Sequence, residues 1–361
     1  MDPLKAFPLI QVLDEDGRLI GDRSQVSDDQ LRAFFRWLTI LRTLDQRAWN
    51  LQRQGRIGTY PPFSGQEATQ VGVAAALSPD DWLCGSYRDW AALVYRGVPL
   101  YFPLLNSMGH PAAGAFPDPV QALPVQVVIA AQILHAVGLA WAAKLQGEPR
   151  IAVALFGDGA TSQGDFHEAL NLASVMSAPA VFVCQNNQWA ISVPLHRQMH
   201  SQTIAQRAIA YNIEGLRVDG NDIIAVYQTM KEVVERVRAG GGPVLVEAVT
   251  YRLGAHTTAD DPTRYRAREE DERFRHGEPL ARLRRYLLAS QILSEDEMQA
   301  IEEEAKGLVE QAVTDAASYP PSPPESVFDH VYASIPPQLL SQQEELARRV
   351  REGRRGGQSH G

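Results

Sequence analysis

The chain has 361 residues and a formal net charge of −9, which is enough length for one large domain or two modest ones. A diffuse acidic balance argues against nucleic acid and anionic membranes as the main partners. The two cysteines, Cys84 and Cys184, lie beside apolar residues and predict neither a disulfide framework nor a zinc site, so a reducing cytoplasm is the expected location. No segment approaches the roughly 18 uninterrupted apolar residues of a membrane span, and the first residues lack the pattern of a signal peptide.

The first third of the chain predicts an arm, a long helix and a long loop. Residues 1–27 are short apolar pieces broken by proline and glycine, which is typical of an extended arm. Ser27 begins a capping-box signature, and the spacing of apolar residues predicts a helix over 31–54. A loop-to-helix junction is expected at 64–67. Residues 99–125, rich in proline and glycine, predict a long loop.

The middle of the chain alternates apolar strands with helices. Such alternation predicts a central, mostly parallel sheet covered by helices on both faces, which is an α/β fold. The predicted segments are helix 134–146, strand 151–156, helix 166–176, strand 180–184, helix 223–238 and strand 243–252.

The last hundred residues are more polar. Residues 254–275 predict a charge-dense loop that leads into a helix, and amphipathic helical segments continue to about residue 317. A proline-rich linker follows at 320–324. We therefore predict a main domain over 28–340 and a flexible basic tail over 341–361.

Polar residues follow two of the predicted strands. Asp158 stands between Gly157 and Gly159 directly after the first, and Asn187 follows the second. The two are separated by about the 30 residues of one strand–helix–strand unit, so we expect them side by side at the carboxyl ends of adjacent strands. Ligands of open parallel sheets bind at such ends.

A carboxylate, an amide oxygen and a backbone carbonyl form a hard, oxygen-only site. Such a site suits Mg²⁺, which shares its remaining positions with water and phosphate oxygens. Gly-Asp-Gly alone usually marks a plain turn, and Asn-Asn alone is even weaker evidence for a binding site. The spacing of the pair makes the cation site the favoured interpretation.

Gly-Asp-Gly followed by Asn-Asn resembles the diphosphate-binding signature of thiamine diphosphate enzymes. Residues 157–192 are similar to the α subunit of the E1 component of 2-oxo acid dehydrogenase complexes, which have a thiamine diphosphate-binding fold. The likeness covers roughly residues 25–340 and includes the segments DQRAWNLQRQGRIG, GQEA, YRD, LPVQ, VDGND and GAHTTADDPTRYR.

The resemblance implies how the diphosphate end of the cofactor is bound. Asp158, Asn187 and the carbonyl of Trp189 would ligate Mg²⁺. Backbone groups of Gly159 and Ala160 would contact the diphosphate.

Five more residues take roles from the same resemblance. Tyr87 and Arg88 would reach the diphosphate, although alone they are equally typical of a solvated helix start. Val127 and Ile129 would hold the aminopyrimidine through backbone groups, where the residues themselves indicate only core. His256 would lie near the reacting carbon and serve in proton transfer or oxyanion stabilisation, whereas alone it is typical of a loop histidine.

This chain matches the family less well at the position of a second catalytic histidine. Relatives often carry histidines in the loop after Tyr-Arg-Asp, where this chain has NSMGHPAAG. His110 stands at one such place and Ala112 at the other. Relatives also often carry a histidine before GQEA, where this chain has residues 61–63 without one. A surface-loop histidine explains His110 equally well.

The resemblance implies oxidative decarboxylation of a 2-oxo acid and transfer of the acyl group to the lipoyl domain of an E2 acyltransferase. The acid that activates the cofactor would be on a β subunit, so activity would require an α2β2 heterotetramer. Bacterial pyruvate-type chains are the most similar, followed by branched-chain 2-oxo acid enzymes and then by acetoin-cleaving enzymes.

Two interpretations from other classes stay open. A nicotinamide-binding domain is disfavoured because no Gly-x-Gly-x-x-Gly follows a predicted strand and an acid in the turn would repel a pyrophosphate. A non-catalytic scaffold subunit is disfavoured because packing requires neither Asp158 nor Asn187.

Overall fold

The computed structural model describes residues 2–328 and 331–357. Its strands are β1 (Leu9–Ile10), β2 (Trp82–Ser86), β3 (Ala122–Gln126), β4 (Ala152–Gly157), β5 (Ala180–Asn186), β6 (Trp189–Ala190), β7 (Val193–Pro194), β8 (Glu214–Asp219) and β9 (Val244–Val249). Its helices are α1 (Pro3–Ala6), α2 (Asp28–Arg53), α3 (Glu67–Ala76), α4 (Trp90–Tyr95), α5 (Phe102–Ser107), α6 (Ala131–Gln146), α7 (Gly164–Met176), α8 (Leu195–Gln198), α9 (Ile223–Arg238), α10 (Arg268–His276), α11 (Pro279–Ala289), α12 (Glu295–Ser318) and α13 (Pro337–Gly357).

The chain divides into two compact units, of which the first ends at Ala316 and the second begins at Ala317. The first unit contains the sheet and every residue predicted to form the site. The second contains a short 3₁₀ turn, Pro324–Val327, and α13. No helix in the described ranges combines the length and apolar character that a membrane span requires.

In the described residues, seven strands form one sheet in the order β1-β8-β9-β5-β4-β2-β3. Every neighbouring pair in it is parallel. The short strands β6 and β7 form a separate antiparallel pair. The predicted parallel sheet is therefore confirmed.

One core cluster joins one face of this sheet to α6 and α7. Its members from β4 and β5 are every second residue: Ala152, Ala154, Phe156, Ala180, Phe182 and Cys184. The residues between them, Val153, Leu155, Val181 and Val183, are equally buried and face the other side, because side chains alternate along a strand. Both faces of the central strands are covered, which explains their unbroken apolar sequence.

Five neighbouring strands, β9, β5, β4, β2 and β3, end at the same edge of the sheet because they are parallel. The residues that follow four of them are Asn187, Asp158, Tyr87 and Val127. Distant parts of the sequence therefore meet at the edge where ligands of open α/β sheets bind.

The N-terminal arm is more structured than predicted. Within residues 1–27, α1 forms and β1 pairs with β8 at the edge of the sheet. Oδ2 of Asp222 accepts hydrogen bonds from the backbone N–H groups of Val12 and Leu13, at 2.7 and 2.6 Å. Oδ1 of the same carboxylate accepts from the backbone N–H groups of Ile224 and Ala225 and so caps α9. One buried carboxylate thus ties the arm to the sheet unit.

The prediction of one long loop over 99–125 was wrong, because α5 and a 3₁₀ turn at Pro111–Gly114 lie within it and β3 begins at Ala122. Proline lies in the first turn of both helical pieces, as Pro103 and Pro111, where its missing N–H is harmless. Neither β2 nor β8 was predicted, because glycine and polar residues leave each with too few consecutive apolar residues.

The C-terminal end contains one more helix. Helix α13, Pro337–Gly357, includes most of the segment for which the sequence predicts a flexible basic tail, 341–361. Arg349 and Glu345 form an (i, i+4) ion pair at 2.5 Å along it, a spacing that supports helices. Residues 358–361 of the predicted tail lie outside the described residues.

Replacing Asp222 by alanine removes the acceptor for four backbone N–H groups. We expect the free energy of unfolding to fall by about 4 kcal/mol or more, since each of the four buried donors left unpaired costs at least about 1 kcal/mol. Urea denaturation followed by circular dichroism measures the change. Asp22→Ala is the control, because Asp22 is exposed and, among the described residues, accepts hydrogen bonds from Ser24 inside the arm. Equal unfolding midpoints for the two variants would contradict the role given to Asp222.

Candidate functional site

A cavity of about 600 Å³ opens at the edge where the five strands end. The structure brings all but one of the predicted site residues together in its lining. Those residues are Tyr87, Arg88, Val127, Ile129, Asp158, Gly159, Ala160, Asn187, Trp189 and His256.

His110 is the exception, since it is not among the lining residues. Its Nδ1 accepts a hydrogen bond from the backbone N–H of Ala112 at 3.2 Å and caps the 3₁₀ turn that follows. The geometry gives it a local structural role. Asn106, on α5 just before that turn, lines the cavity instead.

Asp158 lies at the floor of the cavity and is 1% exposed. Its Oδ2 accepts a hydrogen bond from Nε2 of Gln198 at 2.7 Å. Its Oδ1 is buried and has no donor among the described residues. Burial raises the pKa of this carboxyl, against the hydrogen bond from Gln198. A buried oxygen without a donor is costly, and a divalent cation that prefers oxygen ligands fits it.

Asn187 lies beside this carboxylate at the end of β5 and is 6% exposed. Its Nδ2 donates to Oε1 of Gln66 at 2.7 Å, and its Oδ1 accepts from the backbone N–H of Trp189 at 3.1 Å. An amide oxygen has a second lone pair, so Oδ1 can also bind a cation.

The carbonyl of Trp189 accepts a hydrogen bond from Nη1 of Arg252 at 3.2 Å. Within the described ranges, no group of three or more His, Cys, Asp or Glu is arranged to hold a metal. A cation bound here would therefore depend on one carboxylate, on amide and carbonyl oxygens, and on oxygens of a bound molecule. That donor set fits Mg²⁺.

Gly159 shows how closely the chain packs beside Asp158. A Cβ atom at this position would lie 2.9 Å from Cβ of Ala190, so no other residue fits without movement. The turn that contains Gly159 leads into the N-terminus of α7, and Ala160 and Gln163 at this junction line the cavity. The N-terminus of a helix favours an anion.

Arg88 and His256 form a pair on another wall of the cavity. Arg88 is 5% exposed, and its guanidinium donates to the carbonyls of Pro62 and His256. Its Nη2 also lies 3.1 Å from Nδ1 of His256. Because a guanidinium only donates, Nδ1 must be the acceptor, and the proton of the neutral imidazole lies on Nε2.

The pKa of His256 is lowered to about 3, first by burial and then by the charges of Arg88 and Arg252. The imidazole is therefore neutral at physiological pH. Its Nδ1 is engaged by Arg88, so the ring can donate from Nε2 but has no lone pair left to act as a base. Of the two roles predicted for it, this geometry favours stabilisation of a developing oxyanion.

Val127 and Ile129 are exposed at the cavity, at 73% and 41%. Their alternative interpretation as core residues was therefore wrong. Ile191, 56% exposed, also lines the cavity. It adopts φ = +57°, which is rare for a β-branched residue. Apolar side chains held open to solvent mark a surface that a ligand or a partner covers.

Sequence reasoning missed Arg252, which is 1% exposed and lies three residues beyond the end of β9. Its Nη2 donates to the carbonyl of Ile191 at 2.8 Å and to Oη of Tyr265 at 3.1 Å. Burial lowers its pKa to about 10. The strand-end rule that found Asp158 would have found it too.

Sequence reasoning also missed three buried amide side chains that line the cavity, Gln66, Gln132 and Gln185, and the half-buried Gln198 that donates to Asp158. Each donates to another polar group at 3.2 Å or less. No local pattern in the sequence distinguishes such glutamines from exposed ones.

Comparisons with known proteins agree on one family. Residues 36–325 match the family model described as "Dehydrogenase E1 component". The chain is 41% identical over 341 residues to the pyruvate dehydrogenase E1 component subunit alpha of Staphylococcus epidermidis, covering 94% of this chain and 92% of the relative. It is 40% identical over 346 residues to the protein of the same name from Staphylococcus aureus, covering 95% and 94%.

The protonation of His256 can be tested directly. We expect this imidazole to stay neutral down to about pH 4, well below the usual histidine pKa of about 6.5, and Arg88→Gln to raise its pKa. NMR of ¹³C-labelled histidine measures the titration, with His256→Gln to assign the signal among nine histidines. Below pH 6.5 the unfolded chain takes up a proton that the folded chain does not, so this group lowers stability as the pH falls. A titration near pH 6.5 would contradict the assignment.

Proposed function

The chain belongs to the dehydrogenase E1 component family, and we propose that it is the α subunit of a pyruvate dehydrogenase E1 component. With a β subunit it catalyses the thiamine diphosphate-dependent oxidative decarboxylation of pyruvate and the reductive acetylation of the lipoyl group of E2. The observation that carries the proposal is the buried, unpaired Oδ1 of Asp158 beside Asn187 at adjacent strand ends.

Thiamine diphosphate, when bound, supplies the electron sink for loss of CO₂. Asp158, Asn187 and the carbonyl of Trp189 hold Mg²⁺, which neutralises the diphosphate. Because a carbonyl has two lone pairs, Trp189 can keep its hydrogen bond from Arg252 while it binds the cation. Tyr87, Arg88 and the backbone of Gly159 and Ala160 hold the diphosphate, and Val127 and Ile129 hold the aminopyrimidine.

His256 donates from Nε2 to negative charge that develops on oxygen near the reacting carbon. Its neutral state and fixed tautomer suit a donor, because the orientation is set before the reaction by Arg88. His110 has no role in this proposal, since its side chain caps a 3₁₀ turn away from the cavity lining.

Two features support a β subunit as partner in an α2β2 heterotetramer. The acids among the lining residues are Asp89 and Asp158. Both are buried and already accept hydrogen bonds, so neither is available to activate the pyrimidine of the cofactor. Val127 and Ile129 are exposed apolar residues that a second subunit would cover.

Pyruvate is the proposed substrate because two similar proteins carry that name. A branched-chain 2-oxo acid is the second candidate and acetoin the third. The proposed location is the cytoplasm, with the lipoyl domain of E2 as the second partner and neither nucleic acid nor a membrane as a ligand.

Asp158→Asn tests the cofactor site. The variant keeps the shape of the side chain but removes its charge, so we expect affinity for thiamine diphosphate with Mg²⁺ to fall at least about 100-fold, at the upper end of effects seen in metal sites. Titration calorimetry on the chain co-expressed with its β subunit measures it. Asp165→Asn, seven residues later and not in the cavity lining, is the control. Unchanged binding by Asp158→Asn would disprove the site.

Activity measurements test the partner and the substrate. The purified chain alone should show no decarboxylation of 2-oxo acids, whereas the co-expressed α and β subunits should be active. We expect kcat/KM for pyruvate to exceed that for a branched-chain 2-oxo acid by at least about tenfold, a range that pocket contacts commonly supply. Turnover by the isolated chain would exclude the two-subunit site, and the reverse preference would favour the branched-chain enzyme.

A further inference from the structure

Three buried amide side chains and one buried acid form a connected path along the lining of the cavity. Asp89, Gln185, Gln66 and Asn187 are between 0% and 6% exposed. Nε2 of Gln185 donates to Oδ1 of Asp89 at 2.6 Å. Oε1 of Gln185 accepts from Nε2 of Gln66 at 3.2 Å, and Oε1 of Gln66 accepts from Nδ2 of Asn187 at 2.7 Å.

Asp89, the acid at one end of this path, determines how each amide along the path is oriented. Asp89 accepts one N–H on each oxygen, from Gln185 and from the backbone of Ser86. Burial raises the pKa of Asp89, whereas the hydrogen bonds from Gln185 and Ser86 lower it. In its ionised form this carboxylate only accepts, so Gln185 turns its NH₂ toward Asp89 and its oxygen toward Gln66. Gln66 must then turn its own oxygen toward Asn187. The orientation of each amide is therefore fixed by the residue that precedes it in the path.

Asn187 stands at the other end, where its orientation has a chemical consequence. An amide that gives its NH₂ to Gln66 presents its oxygen on the opposite side, where the backbone N–H of Trp189 meets it at 3.1 Å. With the amide reversed, two N–H groups would face each other there and the NH₂ would stand where a cation ligand is needed. The path therefore selects the orientation that can bind a cation.

We propose that Gln66 is a positioning residue whose acceptor oxygen, fixed by Gln185 and Asp89, holds the amide of Asn187 with its oxygen toward the cation site. This inference rests on the proposed function, because it takes the site to bind Mg²⁺. It adds residues that act on the cation through the amide of Asn187.

The structure contains a matched control in Gln70. It is 0% exposed, and its Nε2 donates to the same oxygen of Gln185, at 3.0 Å, and to the backbone carbonyl of Arg88, at 3.1 Å. Its own oxygen accepts from the backbone N–H of Ala91 at 3.1 Å instead of from Asn187. Loss of its amide therefore costs comparable buried hydrogen bonds without freeing Asn187.

The experiment measures binding of Mn²⁺ in place of Mg²⁺ by electron paramagnetic resonance, on the assembled α and β subunits with saturating thiamine diphosphate. We expect Gln66→Met to weaken Mn²⁺ binding by about 10–100-fold, the usual effect of losing a partner of a metal ligand. Gln66→Glu, which keeps an acceptor for Asn187, should bind within about threefold of the wild type. Gln70→Met should bind within about twofold.

Gln185→Met tests the same path one hydrogen bond farther from Asn187. It remains informative if the Gln66→Met variant does not assemble with the β subunit. Alone it should weaken Mn²⁺ binding, and combined with Gln66→Met it should add little, since residues of one network are not additive. Wild-type affinity in Gln66→Met, or an equal loss in Gln70→Met, would overturn the proposal.

Asp158→Asn distinguishes the two levels of inference. If this variant loses Mn²⁺ while Gln66→Met keeps it, the positioning role fails and the cation site stands. If Asp158→Asn also binds Mn²⁺ as the wild type does, the proposed site fails as well.

Discussion

The buried negative charge of Asp158 is the constraint on which the arrangement of the site depends. The sheet places the carboxylate at the end of β4 with 1% of its surface exposed, and Gln198 satisfies one oxygen only. A carboxylate held in this state is unfavourable unless a cation or a proton compensates it. Keeping one carboxylate oxygen available to a ligand therefore lowers the stability of the fold, which is typical of functional sites.

The neighbouring guanidiniums make no hydrogen bond to that charge, although Arg252 is close enough to lower the pKa of Asp158. Arg88 donates to the carbonyls of Pro62 and His256, and Arg252 to those of Trp189 and Ile191. Both guanidiniums are buried close to the cavity, yet neither donates to Asp158. The hydrogen bonds that position them keep the carboxylate open to a cation from outside the chain and, through Arg88, keep His256 neutral.

The cavity edge could be predicted from sequence because its central strands are buried on both faces and unbroken in apolar character. The spacing of Asp158 and Asn187 then follows from the length of a strand–helix–strand unit. The path from Asp89 to Asn187 could not be predicted, because its hydrogen bonds join residues as many as 121 positions apart. The neutrality of His256 likewise depends on burial and on Arg88, 168 positions away.

The polar and apolar parts of the cavity differ in how far this chain alone satisfies them. Polar groups after β5 and β9, such as Asn187 and Arg252, have hydrogen-bond partners in this chain, whereas Oδ1 of Asp158 after β4 has none among the described residues. The apolar side chains of Val127, Ile129 and Ile191 are exposed by 41–73%, and covering them is favourable by about 25 cal/mol per Å². The charged groups at this edge of the sheet are thus already positioned by this chain, whereas the apolar side chains gain stability only when another molecule covers them.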